Sequence, residues 1–306
     1  MDRPNVNAIR DYLLGLQDRI CGDLEREDDG GRFAEQRFDS AGGALARPRV
    51  LTNGKRIEKA AVHFTHSIAP RMPAAATERR PELEGRSFQA LAVSLIVHPR
   101  NPYVPTSHMN VRFFLAGEQD ESAIWWFGGG FDLTPVYGFD EDAVHWHQQA
   151  LAACEPFGTE LYPNFKKAAD EYFYLPHRDE CRGIGGLFFD DFDGRGFDHA
   201  FGFMRSVGDH YLDAYLPILR TRADTPFGER EREFQLYRRG RYVEFNLVYD
   251  RGTRYGMQSG RRVESVLASM PPLVSWEYER SDEPGSPEAD LARFLEPRDW
   301  LGGGPA

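Results

Sequence analysis

The chain of 306 residues has few cysteines, no excess of basic residues and no long apolar run. Its three cysteines, Cys21, Cys154 and Cys181, form no CxxC pair, so we expect reduced thiols rather than disulfides or a cysteine metal site. The formal net charge of −11 argues against a nucleic-acid partner, because non-specific binding requires a basic surface. The densest apolar stretch, residues 90–97, is much shorter than a membrane span. The N-terminal stretch MDRPNVNAIRDYLLG lacks the features of a signal peptide, which predicts a cytoplasmic protein.

Motifs for organic cofactors are also missing. The glycine-rich stretches GIGGL and FGGGF lead into extended segments, whereas a dinucleotide or phosphate loop leads into a helix. The sequence contains no GxSxG and no HExxH motif. We therefore expect no organic cofactor, and an anionic ligand would need a local cluster of arginines in an acidic chain.

Strand patterns that follow one another without intervening helices predict an α+β fold. Asn53-Gly54 marks a hairpin turn, and helical periodicity marks residues 5–26. Because such neighbouring strands pair antiparallel, we predict one domain over 1–306, with a large antiparallel sheet flanked by helices on both sides and a polar tail from about 281. Further strands are predicted near 88–98, 107–116, 123–133, 183–192 and 241–250, and helices near 140–155, 160–175 and 198–238, the last broken near Pro217 and Pro226.

The stretch HPRNPYVPTSHMNVRFF carries the first candidate site. His108, Asn110 and Arg112 alternate with apolar residues, so in a strand all three side chains point to one face. That face is either a solvated surface or the wall of a site, and we favour the site, with Arg112 as a carboxylate clamp. Ser94 shares the parity of His98 on the preceding strand, although sequence alone favours an ordinary sheet residue there.

Other polar residues have both a chemical and an ordinary structural interpretation. Asp250, at the end of a predicted strand, could act as a base or cap a turn. The acids in FFDDFDG could serve a metal or a proton transfer, but turn chemistry is the commoner use. The run Gly260, Arg261 and Arg262 suits a carboxylate ligand or an exposed basic loop. Four histidines could bind a metal, transfer protons or make ordinary hydrogen bonds: His98, His108, His147 and His177.

Four long segments carry a family resemblance: SLIVHPRNPYVPTSHMNVRFF, WWFGGGFDLTPVYGFDEDAVHWH, YFYLPHRDECRGIGGLFFDDF and YVEFNLVYDRGTRYGMQSGRRVESVLASMPPLVSWEY. They resemble the oxygen-dependent coproporphyrinogen III oxidases of haem biosynthesis, from about residue 5 to 280. The resemblance implies a large antiparallel sheet and a homodimer joined through about 242–277. It also implies oxidative decarboxylation, with O2 as co-substrate, of the ring A and B propionates of coproporphyrinogen III. The products would be protoporphyrinogen IX, CO2 and hydrogen peroxide.

The resemblance also assigns roles to individual residues. It implies that His108 is a proton donor and that Asp250 and Arg251 take part in catalysis. Arg261 stands where relatives usually have glycine, so its side chain either points away from the substrate or changes a propionate contact. We expect no obligatory metal, although a divalent cation, Mn favoured, could stimulate the reaction. Implied substrate contacts are Ser94, Asn110, Val111, Arg112, Gly260, Arg261 and Arg262, and implied metal ligands are His98, His108, His147 and His177.

Two other functions would use the same residues. A non-catalytic tetrapyrrole carrier would also need anion clamps, aromatic walls and histidines, but it has little need for Asp250 beside Arg251. A metal-dependent oxygenase acting on another carboxylated substrate would normally hold its metal with a carboxylate, and the sequence points to no such residue.

Overall fold

The fold is built on an antiparallel sheet, seen in a computed structural model that describes residues 4–71, 81–117, 123–258 and 262–302. Five long strands form a meander, and a later strand extends it by pairing with the fifth. A separate two-stranded ribbon, β8 with β9, lies outside the sheet. The strands are β1 (Ala34–Glu35), β2 (Phe38–Asp39), β3 (Leu45–Thr52), β4 (Ile57–Ala69), β5 (Phe88–Pro99), β6 (Thr106–Ala116), β7 (Ile124–Thr134), β8 (Tyr174–Leu175), β9 (Glu180–Cys181) and β10 (Gly185–Phe192).

Helices pack on both faces of the sheet, as predicted. The long helices α1, α2 and α4 bury their apolar stripes against one face, where Trp146 packs edge-on against Phe131. Full burial of each such aromatic side chain contributes about 2 kcal/mol. Tyr242 of α5 packs with Ala61 and Ile96 on the opposite face. The helices are α1 (Val6–Asp28), α2 (Asp140–Cys154), α3 (Leu161–Tyr172), α4 (Phe197–Arg222), α5 (Glu229–Glu244), α6 (Arg251–Gln258), α7 (Val263–Leu267) and α8 (Pro287–Asp290).

The predicted strand over 241–250 is wrong. Helix α5 continues through Glu244, and a π-helical turn over Phe245–Tyr249 follows it. The aromatic and β-branched composition favours a strand locally, but Tyr242 and Phe245, three residues apart, are buried together only in a helix. Single π-turns occur frequently at functional sites, and this one leads directly to Asp250.

The predicted break at Pro217 is also wrong, whereas the break near Pro226 is confirmed between α4 and α5. A proline inside a helix leaves the carbonyl four residues earlier without its usual donor. Here that carbonyl belongs to Asp213, and His145 Nε2 donates to it at 3.1 Å. The side chain of a neighbouring helix therefore compensates for the missing amide, and α4 continues past the proline.

The segment after residue 281 is more than a polar tail. Leu291, Phe294, Leu295 and Trp300 are 1–5% exposed and belong to the main hydrophobic cluster. This segment therefore helps to close the core beside α2. Within the described ranges, no helix is both long and apolar enough to cross a membrane.

Candidate functional site

The predicted polar side chains share one half-buried face of the sheet. Ser94 of β5 lies opposite Asn110 of β6, and His108 lies opposite Asp132 of β7. His98 and His108 are diagonal neighbours on this face. Val111 points the other way and is 0% exposed in the core, so only its backbone can face this side.

Glycines of β7 make room on this face. Gly128 lies opposite Arg112, and a Cβ at Gly128 would come 2.8 Å from the guanidinium carbon of Arg112. Gly130 has a φ of 138°, and a Cβ there would collide with the backbone of Leu187 in β10. The glycine run therefore allows the arginine to lie flat on the sheet and β10 to approach closely.

A buried ion pair orients His108. Asp132 Oδ1 lies 2.8 Å from His108 Nδ1, and both carboxylate oxygens accept hydrogen bonds from Arg182 at 2.7–3.1 Å. Burial alone would raise the pKa of Asp132, but the Arg182 charge and the His108 hydrogen bond hold it below its usual value. Because a carboxylate can only accept, His108 carries a proton on Nδ1 and directs Nε2 away from Asp132.

Arg182 is in turn enclosed by aromatic rings. Its guanidinium carbon lies 4.4 Å from the ring centre of Phe173, 4.9 Å from Tyr242 and 4.7 Å from Phe245. The side chains of Arg182 and Asp132 are 2% and 3% exposed. A buried charge pair is stable only when both partners are satisfied, and these rings and hydrogen bonds satisfy them. Sequence reasoning missed both residues, because β7 and the segment before β10 meet only in the folded sheet.

A second set of charges surrounds Asp190 at the other end of this face. Asp190 forms ion pairs with Arg112 at 2.9 Å and with Arg251 at 3.3 Å. Arg112 also donates to Asn110 Oδ1 at 2.9 Å. Burial alone would raise the pKa of Asp190, but Arg112 and Arg251 hold it below its usual range. The sequence had suggested turn chemistry for this acid, and the structure instead aims it at two arginines.

Asp250 is held as an ionised carboxylate. It accepts bonds from the Thr253 amide at 2.6 Å, the Thr253 hydroxyl at 2.7 Å and the Tyr172 hydroxyl at 2.9 Å. Burial alone would raise the pKa of Asp250, but these bonds and the nearby His108 lower it. Burial and Asp250 raise the pKa of Tyr172 to about 12, so its hydroxyl keeps the proton it donates. Asp250 therefore caps helix α6, directly before Arg251.

The four histidines do not converge. His98 Nε2 donates to the Ser269 carbonyl at 2.8 Å, and His177 bonds Glu244 and Tyr249. His147 lies on helix α2, which packs on the other side of the sheet from His108. Among the described residues, no three His, Cys, Asp or Glu side chains are placed to hold a metal ion. The chain as folded here therefore does not fit a four-histidine metal centre.

His147 instead makes two ordinary hydrogen bonds inside the core. Its Nε2 lies 2.9 Å from the Ile184 carbonyl, and its Nδ1 lies 3.1 Å from the Tyr162 hydroxyl. Burial lowers the pKa of His147 to about 4, so the imidazole is neutral at physiological pH. Both ring nitrogens are occupied, which is the ordinary structural interpretation of this residue.

The predicted basic run is described only in part. Gly260 and Arg261 lie outside the described residues, so their predicted substrate contacts stay predictions. Arg262 stacks over the Phe38 ring, with 4.2 Å between the guanidinium carbon and the ring centre. Phe38 pairs with Ala46 of β3. The register of the sheet aligns Ala46 with Arg112 of β6, so the two side chains point to the same face. Arg262 therefore reaches the β2 edge of the same face.

His63 is a residue of this face that sequence reasoning missed. It lies directly opposite Ser94, and its Nε2 is buried without a partner among the described residues. Burial lowers the pKa of His63 to about 4, so it is neutral at physiological pH. In the sequence, only the alternation of side chains along β4 pointed to His63. Strand boundaries cannot be predicted accurately enough for that alternation to show which face His63 occupies.

The open sheet face, its paired arginines and its hydrogen-bonded aspartates form a candidate site for an anionic ligand on an α+β fold. The chain matches the coproporphyrinogen III oxidase family over residues 8–300, nearly its whole length. It therefore belongs to that family, whose members are oxidoreductases of porphyrin and haem biosynthesis. The family resemblance drawn from the sequence is confirmed, while the roles of single residues stay predictions.

Proposed function

We propose that this protein uses O2 to decarboxylate the ring A and B propionates of coproporphyrinogen III oxidatively, giving protoporphyrinogen IX. For each arm, the propionic acid side chain and one O2 become a vinyl group, one CO2 and one hydrogen peroxide. The observation that best supports this proposal is that Arg112 and Arg251 meet at Asp190 beside the sheet face that carries His108, with Asp250 directly before Arg251. A carrier would need the arginines, but it would gain nothing from an ionised Asp250 beside them.

The mechanism assigns Asp250 to the pyrrole N–H groups of the substrate. Its pKa lies below the usual value, so it is a weak base that polarises an N–H bond rather than removing the proton completely. Polarisation makes the reduced ring richer in electrons, which favours electron transfer to O2. Tyr172 and Thr253 hold the carboxylate in place, so that it need not reorient during the reaction.

Arg112 and Arg251 bind propionates, and His108 moves a proton. Guanidinium groups match the geometry of carboxylates, and fixing one arm selects which β-carbon loses hydrogen. His108 presents Nε2 to the site because Asp132 accepts from Nδ1, so Nε2 can exchange a proton with the reduced oxygen species. Electrons pass from the substrate to O2, and CO2 leaves as the vinyl group forms.

A divalent cation is not obligatory in this proposal, although Mn could stimulate the reaction. The histidines that the resemblance suggests as ligands are engaged in hydrogen bonds and lie on two sides of the sheet. No step of the mechanism therefore depends on a metal. A different arrangement of these histidines would be needed before the four of them could hold one metal ion.

We also propose a homodimer joined through residues 242–277. Leu247, Leu273 and Trp276 are 48%, 55% and 53% exposed, so this segment presents large apolar side chains to its surroundings. Such exposure is typical of a surface that another subunit covers. Sedimentation tests the proposal: the native chain should be a dimer and Leu247→Asp a monomer. A monomeric native chain at micromolar concentration would contradict it.

An aerobic assay of chelator-treated, metal-analysed protein with coproporphyrinogen III tests the main proposal. Vinyl product and peroxide in equal amounts without metal would support it fully. Product only after Mn, Fe or Cu is restored would keep the oxidase and overturn the metal-independent mechanism. Tight porphyrin binding with no product under any metal would favour the tetrapyrrole carrier instead.

A further inference from the structure

Asp190 joins two arginines that come from separate parts of the chain. Its Oδ1 lies 2.9 Å from Nη2 of Arg112 on β6, and its Oδ2 lies 3.3 Å from Nη2 of Arg251 at the start of α6. The three side chains are 30%, 31% and 47% exposed, so a ligand can still reach them. The bridge therefore lies within the site and not beneath it.

The local backbone is specialised to aim Asp190 at this position. The pairing of β10 with β7 shifts register between Phe189 and Phe192, and Asp191 between them has a φ of 52°. A bulge of this kind redirects the side chains next to it, and a positive φ is uncommon outside glycine. The Asp191 amide also donates to Asp190 Oδ1 at 3.2 Å. Together these features turn the carboxylate toward Arg112. Gly128, which has no side chain, leaves the space that the Arg112 guanidinium occupies.

The charges explain what the bridge achieves. Two guanidinium groups this close repel each other, and the carboxylate between them removes that repulsion while leaving a net charge of about +1. Each guanidinium carries five N–H donors in one plane, so donors remain for a ligand carboxylate. Both arginines are already oriented before an anion binds. Binding therefore loses little of their side-chain entropy.

We infer that Asp190 is a positioning residue that holds Arg112 and Arg251 together to receive one propionate of the substrate. This inference rests on the proposed function and names the residue that organises its carboxylate site. In the alternative role, Asp190 would compete with the substrate for the two arginines. It would occupy the place of the propionate until the substrate displaces it.

The test compares Asp190→Asn with Asp193→Asn, which removes the same charge from an exposed acid three residues away, after the end of β10. Kd is measured with coproporphyrin III, an oxidised analogue, by fluorescence quenching at several salt concentrations. For Asp190→Asn we expect Kd within about threefold of native at low salt, because the added net positive charge offsets the lost order. Kd should depend more steeply on salt than in the native protein, since the site then has an extra unpaired cation.

Turnover is the second readout. For Asp190→Asn we expect kcat to fall about tenfold or more, because the reacting propionate is held less accurately. Asp190→Glu, which keeps the charge, should recover part of that loss, and Asp193→Asn should behave as native in both assays. Circular dichroism and thermal unfolding of each variant establish that the compared proteins are folded.

Two results would overturn the inference. A tenfold tighter Kd with native kcat would identify Asp190 as a competitor, and native salt dependence with native kcat would show that it is not coupled to the carboxylate site. The binding readout does not depend on turnover. If the native protein gives no vinyl product, the proposed function fails, while the salt dependence of Kd still decides the role of Asp190.

Discussion

Replacing Asp132 by asparagine should cost both stability and turnover, and the two losses can be separated. The carboxylate of Asp132 is the ion-pair partner of Arg182, whose side chain is 2% exposed, and it also accepts the His108 Nδ1–H at 2.8 Å. Asparagine keeps the shape but leaves the Arg182 charge buried without its counter-ion. Breaking a buried pair in this way costs about 3–5 kcal/mol of unfolding free energy.

The loss of turnover has a different cause. Without the carboxylate, the His108 ring is no longer held in one tautomer, and its Nε2 no longer faces the site in a defined state. Positioned proton transfer contributes about 10²–10⁴-fold to a rate, so we expect kcat to fall by at least about 10²-fold. The affinity for coproporphyrin III should change much less, because Asp132 pairs with His108 and Arg182 and not with Arg112 or Arg251, which are proposed to bind propionates.

A double variant distinguishes the two effects. Arg182→Met removes the charge and leaves a flexible apolar side chain among Phe173, Tyr242 and Phe245. Combined with Asp132→Asn, it should restore much of the lost unfolding free energy, measured by urea titration with tryptophan fluorescence. Turnover should stay low. The reasoning would be refuted if the losses of stability were additive, or if the stabilised double variant regained native kcat.

Three further outcomes follow from the same geometry. Asp250→Asn should bind coproporphyrin III as the native protein does while kcat falls about 10²-fold or more, and weak binding with normal turnover would contradict its role. Gly128→Ala places a methyl group 2.8 Å from the Arg112 guanidinium carbon, so Kd should rise about tenfold while unfolding free energy changes by less than about 1 kcal/mol. Burial lowers the pKa of His147 to about 4 in the folded protein, whereas its ordinary value is 6.5. At a pH between these two values, the unfolded chain therefore binds a proton at His147 that the folded chain does not. Unfolding free energy should therefore fall as the pH drops from 6.5 towards 4, by about 2 kcal/mol at pH 5 from this residue, with a smaller dependence in His147→Gln.

Several parts of the fold could be predicted because they depend on local periodicity. The period-two alternation around His108 predicted a strand with His108, Asn110 and Arg112 on one face, and the structure confirms both. Neighbouring strands without crossover helices predicted the antiparallel sheet. Helices α1, α2 and α3 were predicted within a few residues because their apolar positions recur at helical spacing.

The errors arose where tertiary contacts outweigh local preference. Residues 241–250 have the composition of a strand, yet burial of Tyr242 and Phe245 against the sheet and the Arg182 side chain favours a helix. Pro217 should end a helix, but His145 supplies the missing hydrogen bond from another helix. Neither compensation is visible in a local stretch of sequence.

The sequence by itself determined which side chains β6 presents together, and its long motifs determined the family. Only the tertiary structure decided their partners. Asp132, Arg182 and Asp190 lie 24 to 78 positions along the chain from the β6 residues they support or orient. Pairing of β6 with β7, and of β7 with β10, brings them within hydrogen-bond distance. Spacing along the chain does not specify that register, because packing of the whole sheet fixes it.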